Sequence, residues 1–394
     1  MAAHAAPQHA DDHHDDIIYP ATIPFVLLHL ACFGILWTGV SRASLLLCAA
    51  LYLVRMFGVT AGYHRYFSHR SYRTSRVGQF LLAFLCQTSA QQGILWWASK
   101  HRDHHKHADT PEDVHSPRHF GFLFAHVGWI FSVKRGAADY SNISDLTRFP
   151  ELVWLDRLKY VPPTLLGVAC WLALGWQGLF VGFFLSTVIL YHCTFAINSL
   201  AHVVGKQRYL TGDDSRNNWW LALVTLGEGW HNNHHYYMSS TRQGFRWWEV
   251  DPTYYALVAL SWAGIVWELR APPAHVVSGE RRAGRAVIEK VARQLADTVP
   301  VDAICEQLRE AWAHRPDVEE LRAKLLSART QAEAAWAELQ LPHLPSVDEL
   351  RERAQEMFTA TPSLDEIAER SRQLVLQAVS VRLFGDADPH ASPA

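Results

Sequence analysis

Eight histidines fall into three short stretches of the chain. In Gly229 to Tyr236, reading Gly-Trp-His-Asn-Asn-His-His-Tyr, His231, His234 and His235 follow an i, i+3, i+4 pattern, which on a helix predicts three imidazoles on one face. His101, His104 and His105 repeat that spacing in His-Arg-Asp-His-His, and His64 and His69 bracket His-Arg-Tyr-Phe-Ser-His. Neutral imidazole is the commonest nitrogen ligand for iron, copper, nickel and zinc, and eight of them exceed what one tetrahedral ion needs. The spacing points to a centre of two metal ions held by imidazole, and by itself permits iron, zinc, manganese or copper. The first stretch is geometrically the odd one. Five residues put two side chains about 140° apart on an ideal helix, so a helix end or a distortion must bring His64 and His69 together. Asp103, Asp109 and Asp113 can orient ligating imidazoles through their second nitrogen, or be solvated loop charges. His107, His115, His119, His126 and His192 lie outside the three stretches and read as residues behind the ligands or on the surface.

Stepping along the chain, the segments that must position these histidines are apolar. Ile23 to Val40 and Ala43 to Gly58 are nearly uncharged and joined at Arg42, while residues 161–199 carry no Lys, Arg, Asp or Glu and have Leu174-Gly175-Trp176-Gln177-Gly178 at their middle. A membrane span needs about 20 apolar residues, so 23–58 and 160–199 read as two transmembrane hairpins, four spans in all. Arg65, Arg70, Arg73, Arg76, Lys100, Arg102 and Lys106 fall between the hairpins, whereas the two hairpin loops hold only Arg42. The positive-inside rule then places the histidines and both termini in the cytoplasm, with the chain integral to the cytoplasmic membrane. Val77 to Ala98 is long enough to span, but a crossing there would separate the first two histidine stretches. Its residues Gln79, Gln87, Gln91 and Gln92 favour a helix lying in the interface or packed on the polar domain, and the short apolar run Thr253 to Trp267 is placed at the interface as well.

Composition removes other readings. The formal charge of -2 argues against a nucleic-acid partner. Six cysteines include no CxxC, so neither a Cys-ligated iron–sulfur cluster nor a disulfide framework is expected, and electrons for redox work must come from another protein. Residues 1–19 are polar and read as a disordered tail. Residues 276–394 turn to Ala, Glu, Arg and Leu, with helical spacing of Ile288, Val291, Leu295 and Val299, a further helix around Leu321, Leu325 and Ala328, and capping boxes at Ser346/Glu349 and Ser363/Glu366. This is a helical C-terminal extension of no assigned role.

The three stretches, as HxxxxH, HxxHH and HxxHH, together with Asn198-Ser199-Leu200-Ala201-His202, make residues 20–270 resemble the membrane fatty acyl desaturases. The resemblance implies an all-α integral membrane protein with a cytoplasmic di-iron catalytic domain. It implies two iron ions on His64, His69, His101, His104, His105, His202, His231, His234 and His235, with Asn198 acting through water. It also implies that a saturated acyl chain, carried by coenzyme A ahead of acyl carrier protein or glycerolipid, is converted with O2 to a cis product between carbons 9 and 10. The electron donor would be a ferredoxin, rubredoxin or cytochrome b5 type of protein with its NAD(P)H reductase. Trp97, Thr194 and Gln91 would sit at the substrate bend, and Lys134 and Arg135 would meet either coenzyme A phosphates or anionic lipid. Where the animal acyl-CoA enzymes have an Arg-Asp pair before the second box, this chain has Ser99 and Lys100, which bears on the headgroup. A lipid hydroxylase and a membrane metal carrier are the alternatives.

Overall fold

The computed structural model of the chain describes residues 22–132, 138–313 and 343–384. The expected tail over 1–19, Lys134 and Arg135, and the helix expected around Leu321, Leu325 and Ala328 lie outside the described residues. The described residues are mostly helical, with one two-stranded sheet. They form two compact units, Met1–Ser278 and Gly279–Ala394.

In the first unit, helix α1 (Ile23–Thr38) stops at Gly39, whose φ of 65° suits a residue without a β-carbon. Ser41 starts helix α2 (Arg42–Ser68): its hydroxyl accepts the Ser44 N–H at 3.2 Å while the Ser44 hydroxyl accepts the Ser41 N–H at 3.0 Å. The apolar run Val161–His202 is broken by non-helical backbone at Leu174 and Gly175. It thus forms two arms, called α7 (161–173) and α8 (176–202) below. Arg42–Ser68 and Val161–His202 are long and apolar enough to cross a membrane, and Ile23–Thr38 is a shorter apolar helix. Leu36, Leu46 and Leu172 stand exposed on these helices, as a lipid-facing surface requires.

The last eleven residues of α2, Gly58–Ser68, wind as a π-helix, whose hydrogen bonds close over five residues. The His69 N–H continues the pattern by donating to the His64 carbonyl at 3.2 Å. This is the distortion that the His64–His69 spacing demands, because five-residue closure stacks side chains that an α-helix would turn apart. Gly62 allows the π-helix to lie against helix α3 (Arg76–Gln87), since a β-carbon there would fall 2.1 Å from the Cys86 sulfur.

Val77 to Ala98 is not the single helix its apolar character suggests. Helix α3 ends at Gln87, and helix α4 (Ile94–His107) begins after a loop in which Ala90 and Gln92 have positive φ. Of the two readings the glutamines of this stretch allowed, packing on the polar domain fits what they do, which is to act as fasteners. The Gln79 carbonyl accepts the Tyr66 hydroxyl at 2.9 Å, Gln87 donates to the Leu155 carbonyl at 3.0 Å, and Gln92 accepts from Lys159 at 2.6 Å. The Asp156 carboxylate takes the Leu95 N–H at 2.7 Å, satisfying an otherwise orphaned donor at the start of α4. The core lies beneath the π-helix and packs Tyr63 and Phe67 against Ile94, Leu95, Leu152 and Leu155; the last two lie on helix α6 (Pro150–Arg157). Between α4 and α6 sits the short helix α5 (Phe122–His126). Strand β1 (Arg73–Thr74) pairs antiparallel with β2 (Val266–Trp267), which ties the residues after His69 to the end of helix α11 (Pro252–Trp262). Thr253 to Trp267 is therefore part helix and part strand.

The second unit contains helices α12 (Arg285–Ala296), α13 (Val301–Ala313), α14 (Val347–Met357) and α15 (Leu364–Phe384). Val291 and Leu295 are buried, and the Ser346/Glu349 capping box is formed. At the second expected box the Ser363 hydroxyl accepts the Ala283 N–H at 2.9 Å, so this serine joins the start of α15 to the segment before α12.

Candidate metal centre

The histidines of the three boxes converge, together with His202, into two adjacent groups. The first contains His64, His69, His101, His105 and His234; the second contains His104, His202, His231 and His235. Each group offers one nitrogen per ring within 4.8 Å of the others. They abut through His105 and His235, whose ring centroids are 4.4 Å apart. The second and third boxes are each split between the groups, contrary to the one-face expectation, whereas His64 and His69 stay together in the first. On α4 the i, i+4 pair His101 and His105 serves the first group while His104 turns to the second. On helix α10 (His231–Tyr236) the pair His231 and His235 serves the second group and His234 the first. Neighbouring helical residues diverge by about 100°, so one turn of helix supplies both groups.

Hydrogen bonding alone does not satisfy the first group. Its Nε2 atoms form a chain of close contacts: His64 to His234 at 2.9 Å, His234 to His105 at 2.9 Å, His105 to His101 at 3.0 Å and His101 to His69 at 2.8 Å. A ring nitrogen has either one proton or one lone pair in the ring plane, so it takes part in one such bond. Four contacts among five nitrogens therefore leave lone pairs facing each other unless a cation lies between them. Burial, reinforced by neighbouring imidazoles, drives His69, His101, His105, His231 and His234 well below the ordinary histidine value, which keeps these rings neutral and able to coordinate.

Behind the rings stand carboxylates that fix which nitrogen faces inward. His104 donates from Nδ1 to Asp113 at 3.0 Å, His202 to Asp109 at 2.8 Å and His235 to Asp213 at 2.9 Å, while the His64 Nδ1 pairs with Glu228. The Nε2 of His235 is buried with no hydrogen-bond partner. Burial would raise the Asp109, Asp113 and Asp213 carboxyls, but the imidazoles of His202, His104 and His235 overcome it and hold all three below the usual carboxylate range. Each of these carboxylates takes the outer N–H of a ring whose other nitrogen faces the group, so the donor set fits a metal ion in each group.

Asp109 and Asp113 thus stand behind ligands, whereas Asp103 lies 3.9 Å from His107, away from both groups. Asp213 and Glu228 escape a sequence reading because nothing local marks them; each meets a histidine remote in the chain. His115 is buried with its ring 4.5 Å from that of His104 and shares Asp113 with it. The Asn232 and Asn233 side chains lock α10 in place. Asn232 accepts the Arg208 and Tyr209 N–H groups at 2.7 and 2.8 Å, and Asn233 donates to Glu249 at 2.9 Å. Arg65, on the π-helix, is buried between Glu228 and Asp251 at 3.1 and 3.0 Å.

A cavity of about 430 Å³ opens onto the first group. His101, Asn198, Trp97, Gln91 and Thr194 all line it, along with Phe25, Tyr191, Lys100 and Lys159. Gln91 donates to the Thr194 hydroxyl at 3.0 Å, and Trp97 stacks on His101 at 5.0 Å and on Tyr63 at 5.2 Å. The three residues expected at a substrate bend are therefore brought together beside a metal-group histidine.

The depressed imidazoles set the pH response of the metal-free protein. Their folded-state values lie below the unfolded value of about 6.5, so as pH falls the unfolded chain takes up protons that the folded one refuses. Stability should decline below about pH 6.5, each such ring adding up to about 1.4 kcal/mol per pH unit, with the carboxylate contribution lost only below about pH 4. Thermal unfolding of metal-free protein at about pH 7.5, 6 and 5 checks this; a constant midpoint would contradict it.

A family model described as fatty acid desaturase matches residues 41–264. The chain is 35% identical over 247 residues to a palmitoyl-monogalactosyldiacylglycerol delta-7 desaturase of Arabidopsis thaliana, an alignment covering 62% of this chain and 65% of that one, slightly under two thirds of the relative. It is 34% identical over 249 residues to an acyl-CoA C20 delta5-desaturase of Anemone leveillei, covering 62% and 79% of the two chains. Against an sn-1 stearoyl-lipid 9-desaturase of Anabaena variabilis the identity is 34% over 247 residues, covering 62% and 90%.

Proposed function

Because the chain belongs to the fatty acid desaturase family, we propose that it converts a saturated long-chain acyl group, carried as acyl-CoA, to the cis product with a double bond between carbons 9 and 10. The reading is carried by one observation: of two adjacent imidazole groups, the first reaches, through His101, the wall of a cavity shaped by Trp97, Gln91 and Thr194. The balanced change is R–CH2–CH2–R′ + O2 + 2 H⁺ + 2 e⁻ → R–CH=CH–R′ + 2 H2O. The electrons come from a separate ferredoxin, rubredoxin or cytochrome b5 type of donor with its reductase.

Two iron ions, one on each histidine group with Asn198 reaching one of them through water, would supply the dioxygen-derived oxidant that no side chain provides. The protein's own residues do the rest. Asp113, Asp109 and Asp213 hold the Nδ1 of His104, His202 and His235, which leaves the Nε2 of those three rings to face inward. The apolar wall binds the chain at about 0.8 kcal/mol per buried methylene, a grip that cannot tell one methylene from the next. Selection of the reacting carbons therefore falls to the bend at Trp97 and the Gln91–Thr194 pair, which meters the chain from a fixed headgroup. Lys100 and Lys159 line the same cavity, and Lys134 and Arg135 are assigned to the coenzyme A phosphates.

Incubation with isotopic O2 and mass spectrometry of the lipids tests the reaction. The expected outcome is an unlabelled cis mono-unsaturated acyl group with label in water; label in a hydroxy-acyl main product would identify a hydroxylase instead. Lipid-class analysis separates acyl-CoA from glycerolipid substrates.

In the same proposal α1, the apolar part of α2, α7 and α8 cross the cytoplasmic membrane as four spans, and the centre and both termini face the cytoplasm. Cysteines introduced beside His69 and His101 should both resist a membrane-impermeant thiol reagent added outside intact cells. Labelling of either would refute the topology.

A further inference from the structure

Two residues that lack a glycine's freedom stand in left-handed backbone on either side of Gln91. Ala90 has φ 58° and Gln92 has φ 73°, a region that is costly for a residue with a β-carbon. They belong to the loop between α3 and α4, and Ala90, Gln91 and Gln92 all line the cavity that His101 also lines. The same two residues have their carbonyls taken by tyrosine hydroxyls from other helices. Tyr191 of α8 donates to the Ala90 carbonyl at 2.7 Å, and Tyr63 of the π-helix donates to the Gln92 carbonyl at 2.6 Å. We infer that Tyr63 and Tyr191 are positioning residues that fix where along the acyl chain the double bond is placed, by holding this strained loop, and with it Gln91, at a set distance from the first histidine group. The inference rests on the proposed acyl desaturation and holds for whichever carbon pair that reaction selects.

A buried hydroxyl needs an acceptor somewhere, so one tyrosine on one carbonyl would say little. Here both hydroxyls end on the two strained residues, and the residue between them is the one whose side chain closes the bend. Gln91 donates to the Thr194 hydroxyl at 3.0 Å, and that hydroxyl donates on to the Leu190 carbonyl at 2.8 Å. The ends of the loop are anchored separately. The Gln87 side-chain oxygen accepts the Ile94 N–H at 3.3 Å and Asp156 accepts that of Leu95 at 2.7 Å. The middle of the loop is left to Tyr63, Tyr191 and the bond from Lys159 to the Gln92 side chain. Tyr63 has a second hold, because its fully buried ring stacks on Trp97, which stacks on His101. One side chain thus ties the loop to the tryptophan that lies against a histidine of the first group. Without a hydroxyl on its carbonyl, Ala90 or Gln92 relaxes toward negative φ and carries Gln91 with it. A shift of this wall by one carbon–carbon bond length brings a different methylene beside the first histidine group. The apolar grip on the chain does not resist such a shift, since neighbouring methylenes bind alike.

The test uses full-length, iron-loaded protein with a reduced donor and a saturated acyl substrate, and reads the double-bond position in the product by mass spectrometry after derivatisation. Wild type should give one main positional isomer. Tyr63→Phe and Tyr191→Phe keep the rings and lose only the hydroxyls. In each, the ratio of main to displaced isomer should fall about fivefold or more, the factor for one lost hydrogen bond, with iron content unchanged. Adding Ala90→Gly to Tyr191→Phe should restore the main isomer, because glycine keeps a positive φ without being held there. Tyr191, at the cavity wall, carries the test by itself if the fully buried Tyr63 tolerates no change. Hydrogen exchange of the metal-free protein reads the same hold without the reaction. The Ser89 and Ala90 amides, bonded to the Cys86 and Gln87 carbonyls, should exchange about fivefold faster in either variant. A lower yield with the double bond in place, unaltered exchange in the loop, or a displaced isomer in Tyr191→Phe that Ala90→Gly does not correct would each overturn the inference. A wild type that forms no unsaturated product defeats the functional reading and the inference with it, whereas one isomer common to wild type and variants defeats the inference alone.

Discussion

His105→Ala should abolish product formation and empty the first histidine group of metal. The His105 Nε2 contacts both His101 and His234 at 3.0 and 2.9 Å, so its removal takes out the middle of the inward-facing set. Loss of a group behind a ligand typically costs 10- to 100-fold in metal affinity or activity, and removal of a ligand should exceed that, to more than about 100-fold. Metal analysis after dialysis against a chelator, alongside a turnover assay, measures both effects. His107→Ala on the same helical turn is the control. His107 is partly exposed and meets Asp103 at 3.9 Å, so it should keep its metal and most of its rate. Equal loss in the two variants would overturn the ligand assignment.

The second large effect is expected at Asp109. Its carboxylate accepts from His202 at 2.8 Å, from the Ser116 hydroxyl at 2.7 Å and from the Asp214 N–H at 2.8 Å, and its backbone lies at φ 56°. Asp109→Ala strands three donors, each costing about 1–3 kcal/mol when buried, and places alanine in a left-handed conformation at roughly 1–2 kcal/mol more. Stability should drop by about 4 kcal/mol or more, and the second histidine group should lose metal first because His202 is no longer oriented. Asp109→Asn, whose side chain tolerates this backbone conformation, should be milder in stability but still weaken metal retention. Chemical unfolding and metal titration separate the two; unchanged metal affinity in Asp109→Ala would show that His202 needs no orienting partner.

The legible parts of the centre were those written in short-range spacing. His231, His234 and His235 are recognisable because a helix makes neighbours of residues three and four apart, and the awkward His64–His69 interval announced a distortion before the π-helix supplied it. The division of the second and third boxes between two histidine groups was not legible, since it depends on how α4 and α10 are rotated against each other. Glu228 and Asp213 were invisible for a related reason: they matter only through folding that brings each to a histidine elsewhere in the chain. The glutamines of Val77 to Ala98 left two readings open. A polar residue in an apolar run marks an interface and a fastener alike, and only the partners of Gln79, Gln87 and Gln92 distinguish them. The apolar hairpins could be read because long uncharged runs are interrupted at Arg42 and at Leu174-Gly175-Trp176-Gln177-Gly178.

In the proposed two-ion centre, the sharing of α4 and α10 between the two histidine groups links the two occupancies. An ion bound by His101, His105 and His234 immobilises the helical turns that also carry His104, His231 and His235, so the ordering cost of the second site has largely been met when the first ion arrives. Partial loading should consequently yield a mixture of empty and doubly occupied molecules with few singly occupied ones. A preparation averaging one ion per chain would then behave as a half-active population, each competent molecule running at full speed.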